Sequence, residues 1–166
     1  MKNTFFKLLD NHVKLVQNHE EYDSSIDPIS GTNYLNELVG VLKTSIKDWF
    51  HSVRTCFFKS VNDSNYTPEK DLTYKKEFVI AIITDIKTII KFIDKDKSVE
   101  NLDKEFYHDL LINTLSSNEK YLYSAYLLFK DRNEYDRIKK LNKNYTSIIE
   151  SEIDNPRDHN LDFAPQ

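Results

Sequence analysis

The 166-residue sequence has few of the residues that form disulfides, tight turns or membrane spans. A single cysteine, Cys56, excludes an internal disulfide and a cysteine-built zinc site, and it favours a reducing compartment. Two glycines and four prolines leave few places for hairpin turns, so long helices are favoured over a sheet. The longest apolar run, residues 78–83, is far shorter than the roughly 20 residues of a membrane span, and the N-terminus lacks a signal-peptide pattern. These absences predict a cytoplasmic protein with no membrane partner.

A surplus of positive charge is also missing. The chain has 23 basic and 27 acidic side chains and a net charge of −4, so no overall positive field attracts a polyanion. Nucleic acid is therefore disfavoured as a partner, although it stays open, and a protein partner is favoured. Aromatic residues, by contrast, are plentiful at 13%, with ten Tyr and ten Phe. They predict a core of large rings, and a surplus of them on the surface would form a homo-oligomer interface.

Apolar residues recur at spacings of three and four along most of the chain, which is the pattern of amphipathic helices. The third helix starts at Thr67-Pro68, a typical N-cap and first position, and its residues 78–83 are apolar on every side. The sequence therefore predicts an all-α fold, a bundle of five or six mostly antiparallel helices around a buried central third helix. The predicted helices cover about residues 4–20, 33–61, 67–94, 102–115, 117–130 and 133–153, in one domain of residues 1–155 with a flexible tail at 156–166.

Local signals add detail to these helices. Ser116 and Glu119 have the spacing of a capping box, which starts the fifth helix. Residues 22–32 contain Asp-Pro and Ser-Gly pairs and are predicted to form a loop. The predicted buried stripes are Phe106, Tyr107, Leu110 and Leu111 in the fourth helix, and Ile138, Leu141, Tyr145 and Ile149 in the last.

Two carboxylate-x-x-His pairs, Asp48 with His51 and Glu105 with His108, have the spacing that helical bundles use to hold a di-iron centre. Such a centre must point into the bundle. In both predicted helices the pair falls away from the apolar stripe, so we expect these side chains to face solvent. The sequence therefore predicts neither a metal site nor another cofactor.

Motifs for catalysis are missing, and no catalytic residue is assigned. None of the five histidines follows an arginine by four to seven positions, so the Arg-to-His spacing of helical ribonucleases is missing. There is also no Gly-rich phosphate loop and no Gly-x-Ser-x-Gly turn. Enzymatic activity is therefore disfavoured, although the question stays open.

The basic stretch 132–143 offers an alternative, because Arg132 and Arg137 flank Tyr135 in a pattern that suits stacking on single-stranded RNA. His12 lies beside the first apolar stripe, where a core-edge histidine with one hydrogen bond is expected.

Three segments, in order along the chain, resemble segments of the phage abortive infection proteins of bacteria. Residues 3–16, NTFFKLLDNHVKLV, resemble that family's FFxLLxxHxxxV opening, with Phe5 and Phe6 at its start and His12 at its histidine. The second segment, IIKFID, ends at Asp94.

The third segment, residues 106–119, resembles the family's FY…LxxxLSSxE pattern and ends with Ser116 and Glu119. This chain departs from the family at two places where arginines are usual, before IIKFID and before LSS, since Thr84 and Ile112 stand there. Family members often have membrane-spanning helices ahead of the first segment, and we expect none here.

The resemblance implies a role in bacterial defence against phage, in which infected cells stop growing or die before progeny emerge. It supplies no catalytic residues. Together with the missing catalytic motifs, it leads to the hypothesis of a non-enzymatic binding or sensing module that recognises a protein partner or a phage component. An RNA-targeting, toxin-like effector and a homo-oligomeric helical scaffold are the alternatives. The candidate functional residues are His12, Arg132, Tyr135 and Arg137.

Overall fold

The computed structural model describes residues 2–18, 20–21, 29–43, 61, 70–95, 101–147 and 149. Within them the chain forms six α-helices, one pair of short strands and a 3-10 helix. The elements are α1 (Lys2–Gln17), β1 (Glu20–Glu21), β2 (Ile29–Ser30), α2 (Gly31–Lys43), α3 (Lys70–Lys95), α4 (Asn101–Thr114), α5 (Ser117–Lys130), α6 (Arg132–Leu141) and the 3-10 helix (Lys143–Tyr145). The prediction of an all-α helical bundle is confirmed.

The two strands close the connection between α1 and α2. They pair antiparallel, with Glu20 opposite Ser30 and Glu21 opposite Ile29. The predicted loop at residues 22–32 is therefore wrong at its C-terminal end, because Ile29 and Ser30 lie in β2 and α2 begins at Gly31.

Helix α3 is the centre of the described fold and packs against α1, α4 and α5. Its inner face is a row of isoleucines at helical spacing, and fully burying one such side chain stabilises the fold by about 1.5–3 kcal/mol. The buried residues of α3 are Phe78, Val79, Ile82, Ile83, Ile86, Ile89, Ile90 and Ile93. Helix α5 lies against both α2 and α3 and is buried at every residue of 121–128. None of the helices in the described ranges is long and apolar enough to cross a membrane.

Several predictions from the sequence fall outside the described residues. The predicted second helix reaches Val61, and the structure describes it only to Lys43, with residues 44–60 beyond the described part. The Thr67-Pro68 start of α3, the Asp48–His51 pair, Cys56 and the tail at 156–166 also lie outside it.

The last predicted helix, at 133–153, is wrong in its extent, because α6 ends at Leu141. Asn142 caps that end, and its side-chain oxygen accepts the backbone N–H of Asn144 at 2.9 Å. An asparagine that bonds to nearby backbone in this way competes with a continuing helix. The chain turns there, so Ile138 and Tyr145 are buried as predicted while Leu141 is exposed.

The predicted buried stripe of α4 is also wrong in part. Phe106 is 59% exposed, and His108, which we expected to face solvent, is only 2% exposed. The inner face of α4 runs from His108 through Leu111 and Ile112, at spacings of three and four. His108 takes this place because it has polar partners inside the bundle.

The predicted capping box at the start of α5 is confirmed. The Ser116 hydroxyl accepts the Glu119 N–H at 3.3 Å, and the Glu119 carboxylate accepts the Ser116 N–H at 2.8 Å. We expect Ser116→Ala to lower the free energy of unfolding by about 1–2 kcal/mol, the usual cost of losing such a cap. Urea denaturation measures the change. Ser117→Ala, at the exposed next position, is the matched control and should be nearly neutral; equal effects of the two substitutions would contradict the prediction.

Candidate functional site

A buried histidine between two carboxylates joins α1, α3 and α5. His12 is 1% exposed, and we call it, with Asp85 and Glu119, the His12 cluster. Its Nδ1 lies 3.0 Å from Asp85 Oδ2, and its Nε2 lies 2.7 Å from Glu119 Oε1. Carboxylates only accept hydrogen bonds, so both ring nitrogens must donate, and the imidazole is held as a cation.

The electrostatics of the His12 cluster agree with this geometry. Burial alone would lower the pKa of His12, but the hydrogen bonds to Asp85 and Glu119 outweigh burial and raise that pKa to about 9. Burial also disfavours the charged form of Glu119 and alone would raise its pKa. The hydrogen bonds from His12 and Ser116 outweigh burial and bring the pKa of Glu119 below its ordinary value. His12 and Glu119 are therefore both ionised at neutral pH, and the His12 cluster ties three helices together.

A second polar network joins α3, α4, α6 and the 3-10 helix around Asp94. His108 Nε2 lies 3.2 Å from Asp94 Oδ1, and His108 Nδ1 lies 3.2 Å from the Tyr145 hydroxyl. Arg137 donates to Asp94 Oδ2 at 2.8 Å and holds both oxygens of Glu134, at 2.7 and 2.8 Å. We call these five residues the Asp94 network.

Both ring nitrogens of His108 are in use within the Asp94 network. Burial lowers the pKa of His108, and the opposing effect of Asp94 does not cancel it. The histidine is therefore neutral: its Nε2–H donates to Asp94, and its Nδ1 accepts the Tyr145 hydroxyl proton. Burial raises the pKa of that Tyr145 hydroxyl, which is the opposite of activating a nucleophile. The arrangement fixes helices and offers no free base.

A cleft between α3, α5 and α6 opens beside the Asp94 network, with a volume of about 520 Å³. We call it the basic groove, because three lysines of α3 line it. Its main lining residues are Lys87, Lys91, Lys95, Tyr123, Tyr126 and Arg137.

A second cleft, of about 480 Å³, lies on the other side of Asp94. Its charge is mostly acidic, with Asp94, Glu105 and Asp109 against Lys104, whose ammonium donates to the Asp94 carbonyl at 3.0 Å. Within the described residues, no group of three or more His, Cys, Asp or Glu side chains could hold a metal ion.

The structure brings together three of the motif residues that the sequence singled out, His12, Ser116 and Glu119. Ser116 and Glu119 pair in the capping box, and Glu119 also reaches His12. The expectation of a core-edge His12 with one hydrogen bond is wrong, since the ring is buried between two carboxylates. Of the two phenylalanines in the first segment, Phe5 is buried, with its ring centre 4.7 Å from that of Tyr107 and the two rings tilted by 57°, while Phe6 is exposed.

The three candidates on α6 are not assembled on one surface. Tyr135 is 2% exposed, so its ring has no open face for a base, and Arg132 lies over it at 5.2 Å. Arg132 also pairs with Asp136, at 3.7 Å. Arg137, in contrast, belongs to the Asp94 network. Of the three, only Arg137 lines the basic groove.

Sequence reasoning missed Asp85 and the lysines of α3. Asp85 interrupts an apolar run in the sequence, yet it stands three residues after Ile82 and four before Ile89, on the buried side of α3. A carboxylate in register with an apolar stripe signals a buried cationic partner. The lysines repeat every four residues, a signal that is present in the sequence but hidden by the chain's negative net charge.

No protein-family model matches this chain, and neither curated proteins nor solved structures yield a match.

Proposed function

We propose that this protein is a cytoplasmic binding module of bacterial defence against phage, which acts by recognising a partner and has no catalytic activity of its own. One observation supports this most: the polar residues of the three resembling segments are paired across segments. His12 of the first bonds to Glu119 of the third, and Asp94 of the second bonds to His108 of the third. The three segments are thus joined in this fold by contacts that helical periodicity alone does not require.

Burial of these groups favours binding over catalysis. His12, His108 and Tyr145 are each at most 2% exposed, and each is already held by hydrogen bonds within the fold. The ring nitrogens of both histidines are all occupied by partners within the fold. A general acid or base must come within hydrogen-bond reach of the substrate. The proposed binding surface is therefore the open basic groove.

A phage challenge tests the proposal. Bacteria expressing the chain are expected to form fewer phage plaques than cells with an empty vector, with early death or growth arrest of infected cells. The double variant Lys87→Glu, Lys91→Glu reverses charge in the groove and is expected to abolish protection. Lys7→Glu, on the exposed side of α1, makes the same kind of change elsewhere and should leave protection intact.

Normal plaque formation by cells that contain the folded wild-type chain would contradict the defence role. Degradation of RNA or nucleotides by the purified chain at catalytic turnover would contradict the non-enzymatic mechanism. The RNA-targeting effector at Arg132, Tyr135 and Arg137 stays an alternative prediction, and it would require the Tyr135 ring to leave the core. The homo-oligomeric scaffold also stays a prediction, with exposed Phe6 and Phe106 as its natural contact residues.

A further inference from the structure

The basic groove holds a row of lysines that no described carboxylate neutralises. Lys87, Lys91 and Lys95 recur every four residues on α3, which places them about 6 Å apart along the helix axis on one face. None of them makes an ion pair with a residue that the structure describes. Lys87 instead lies over the Tyr126 ring, with Nζ 5.7 Å from its centre. Cations that share a concave surface attract an anion.

The two acidic side chains of the groove do not cancel this charge. Asp94 and Glu134 both line it, but both are held by Arg137, which lies at one side of the groove. Four cationic against two anionic lining side chains leave a formal surplus of two positive charges. The surplus falls on the lysine row, so an anionic ligand would contact the lysines in preference to Arg137.

Tyr123 also lines the basic groove, and its hydroxyl lacks a partner among the described residues. The side chain is 1% exposed, and none of those residues hydrogen-bonds to its hydroxyl. Burial raises the pKa of Tyr123, so the hydroxyl keeps its proton and is available as a donor. Buried polar groups in folded proteins nearly always have a hydrogen-bond partner. An acceptor atom on a ligand that settles against this wall would supply one.

The size of the groove selects among anions. A volume of about 520 Å³ is in the range of sites for small organic molecules and is far larger than one phosphate needs. Beyond the lysine row, the groove is lined by Ile83, Ile90 and Tyr126, of which Tyr126 has the most exposed side chain, at 6%. The ligand should therefore combine several negative charges with a flat, largely apolar part.

We propose that the basic groove binds a nucleotide, with its phosphates on Lys87, Lys91 and Lys95 and its base against the wall that contains Tyr123. Lysine is a common phosphate ligand because its ammonium is a compact charge with three donors. The base would lie beside Tyr126, and an acceptor on its edge would meet the Tyr123 hydroxyl after a small movement of that buried side chain toward the groove. This inference rests on the proposed function only in taking the groove as the binding surface.

Calorimetric titration of the purified full chain tests the inference, with ATP, GTP, inorganic phosphate and a ten-nucleotide single-stranded RNA as separate probes. We expect saturable binding of at least one nucleotide, weakened at least about tenfold by Lys91→Glu and about fivefold by Tyr123→Phe. Lys7→Glu should leave the affinity unchanged. Tyr123→Phe removes only an unpartnered hydroxyl, so its thermal midpoint should match that of the wild type or exceed it, which separates lost binding from lost folding.

Several outcomes would overturn the inference. They are no binding of either nucleotide up to about 1 mM, equal affinity for inorganic phosphate, binding of the RNA alone, or equal weakening by Lys91→Glu and Lys7→Glu. The plaque assay keeps this result apart from the proposed function. Protection without nucleotide binding would support the defence role and contradict the nucleotide site. Nucleotide binding without protection would support the nucleotide site and contradict the defence role.

Discussion

Replacing His12 with alanine is expected to lower the free energy of unfolding by about 3–5 kcal/mol, the usual cost of removing one partner from a buried ion pair. The substitution leaves Asp85 and Glu119 without their shared cation, and Glu119 is itself buried. The buried Glu119 must then either stay charged without this partner or take up a proton, whereas Asp85 is partly exposed to water. Chemical denaturation of the wild type and the variant, followed by circular dichroism, measures the loss.

Two further variants show whether the charge or the packing of His12 is responsible. In His12→Gln the new amide side chain fills similar space and donates to one carboxylate, but it has no charge, so an intermediate loss is expected. Lys14→Ala breaks the exposed pair of Lys14 with Asp10 on the same helix, and it should cost less than about 1 kcal/mol. If His12→Ala proved no more costly than Lys14→Ala, the His12 cluster would not stabilise the fold as inferred.

The helices were predictable from the sequence where apolar residues decide the outcome. The isoleucine row of α3 is long and uninterrupted enough to fix both its helical state and its central place. The start of α5 follows from Ser116 and Glu119, because a capping box is a local motif that needs no distant partner. In both cases the information lies within a few residues of the element concerned.

The sequence was a poorer guide where a polar residue is buried by a partner far along the chain. His108 is 14 residues from Asp94 and 37 from Tyr145, and only these contacts let it occupy the inner face of α4. A prediction from periodicity places polar residues on the solvent side. It therefore assigns the wrong face of α4 to the core, with Phe106 buried and His108 exposed. The end of α6 is missed for a related reason, since one side-chain bond from Asn142 stops a helix that the apolar spacing would continue.

The candidate site, too, could be predicted from the sequence only in part. His12, Asp94 and Glu119 could be singled out from motifs, but their pairing could not, because Glu119 is 107 residues from His12. Asp85 is 73 residues from His12 and belongs to none of the three segments. The basic groove was hidden more completely, since it combines residues of three helices and its charge is opposite in sign to that of the whole chain.

The stability of the protein is expected to fall as the pH rises from 6.5 to 9, because of His12. Its pKa is about 9 in the folded protein and ordinary, about 6.5, in the unfolded chain. Between these values the folded state holds a proton that the unfolded state has released, so each pH unit lowers the free energy of unfolding by up to about 1.4 kcal/mol. The contribution, about 3 kcal/mol in all, is complete below pH 6.5 and lost above pH 9.

The other groups with shifted pKa values do not affect the free energy of unfolding between pH 6.5 and 9. The lowered pKa of His108 makes that residue neutral in both states above pH 6.5, so its contribution disappears only in acid, as the pH falls through its folded pKa. Glu119 has the same sign, because its pKa is lowered and its ionised form is lost in acid. Burial raises the pKa of Tyr123 and Tyr145, which affects stability only near their ordinary value of about 10 and above.

The measurement is urea denaturation of the wild type and of His12→Gln at pH 6, 7, 8 and 9. At pH 6 the wild type should be the more stable by the full contribution of the charged histidine. By pH 9 the two should have nearly converged, because a neutral histidine between Asp85 and Glu119 has no charge and a single N–H, which leaves it no better paired than the glutamine amide. Any unrelated titration, such as that of the α-amino group, affects both proteins alike and cancels in the difference. A difference that stays constant from pH 6 to 9 would mean that His12 does not titrate in this range and that the cation is not what joins the three helices.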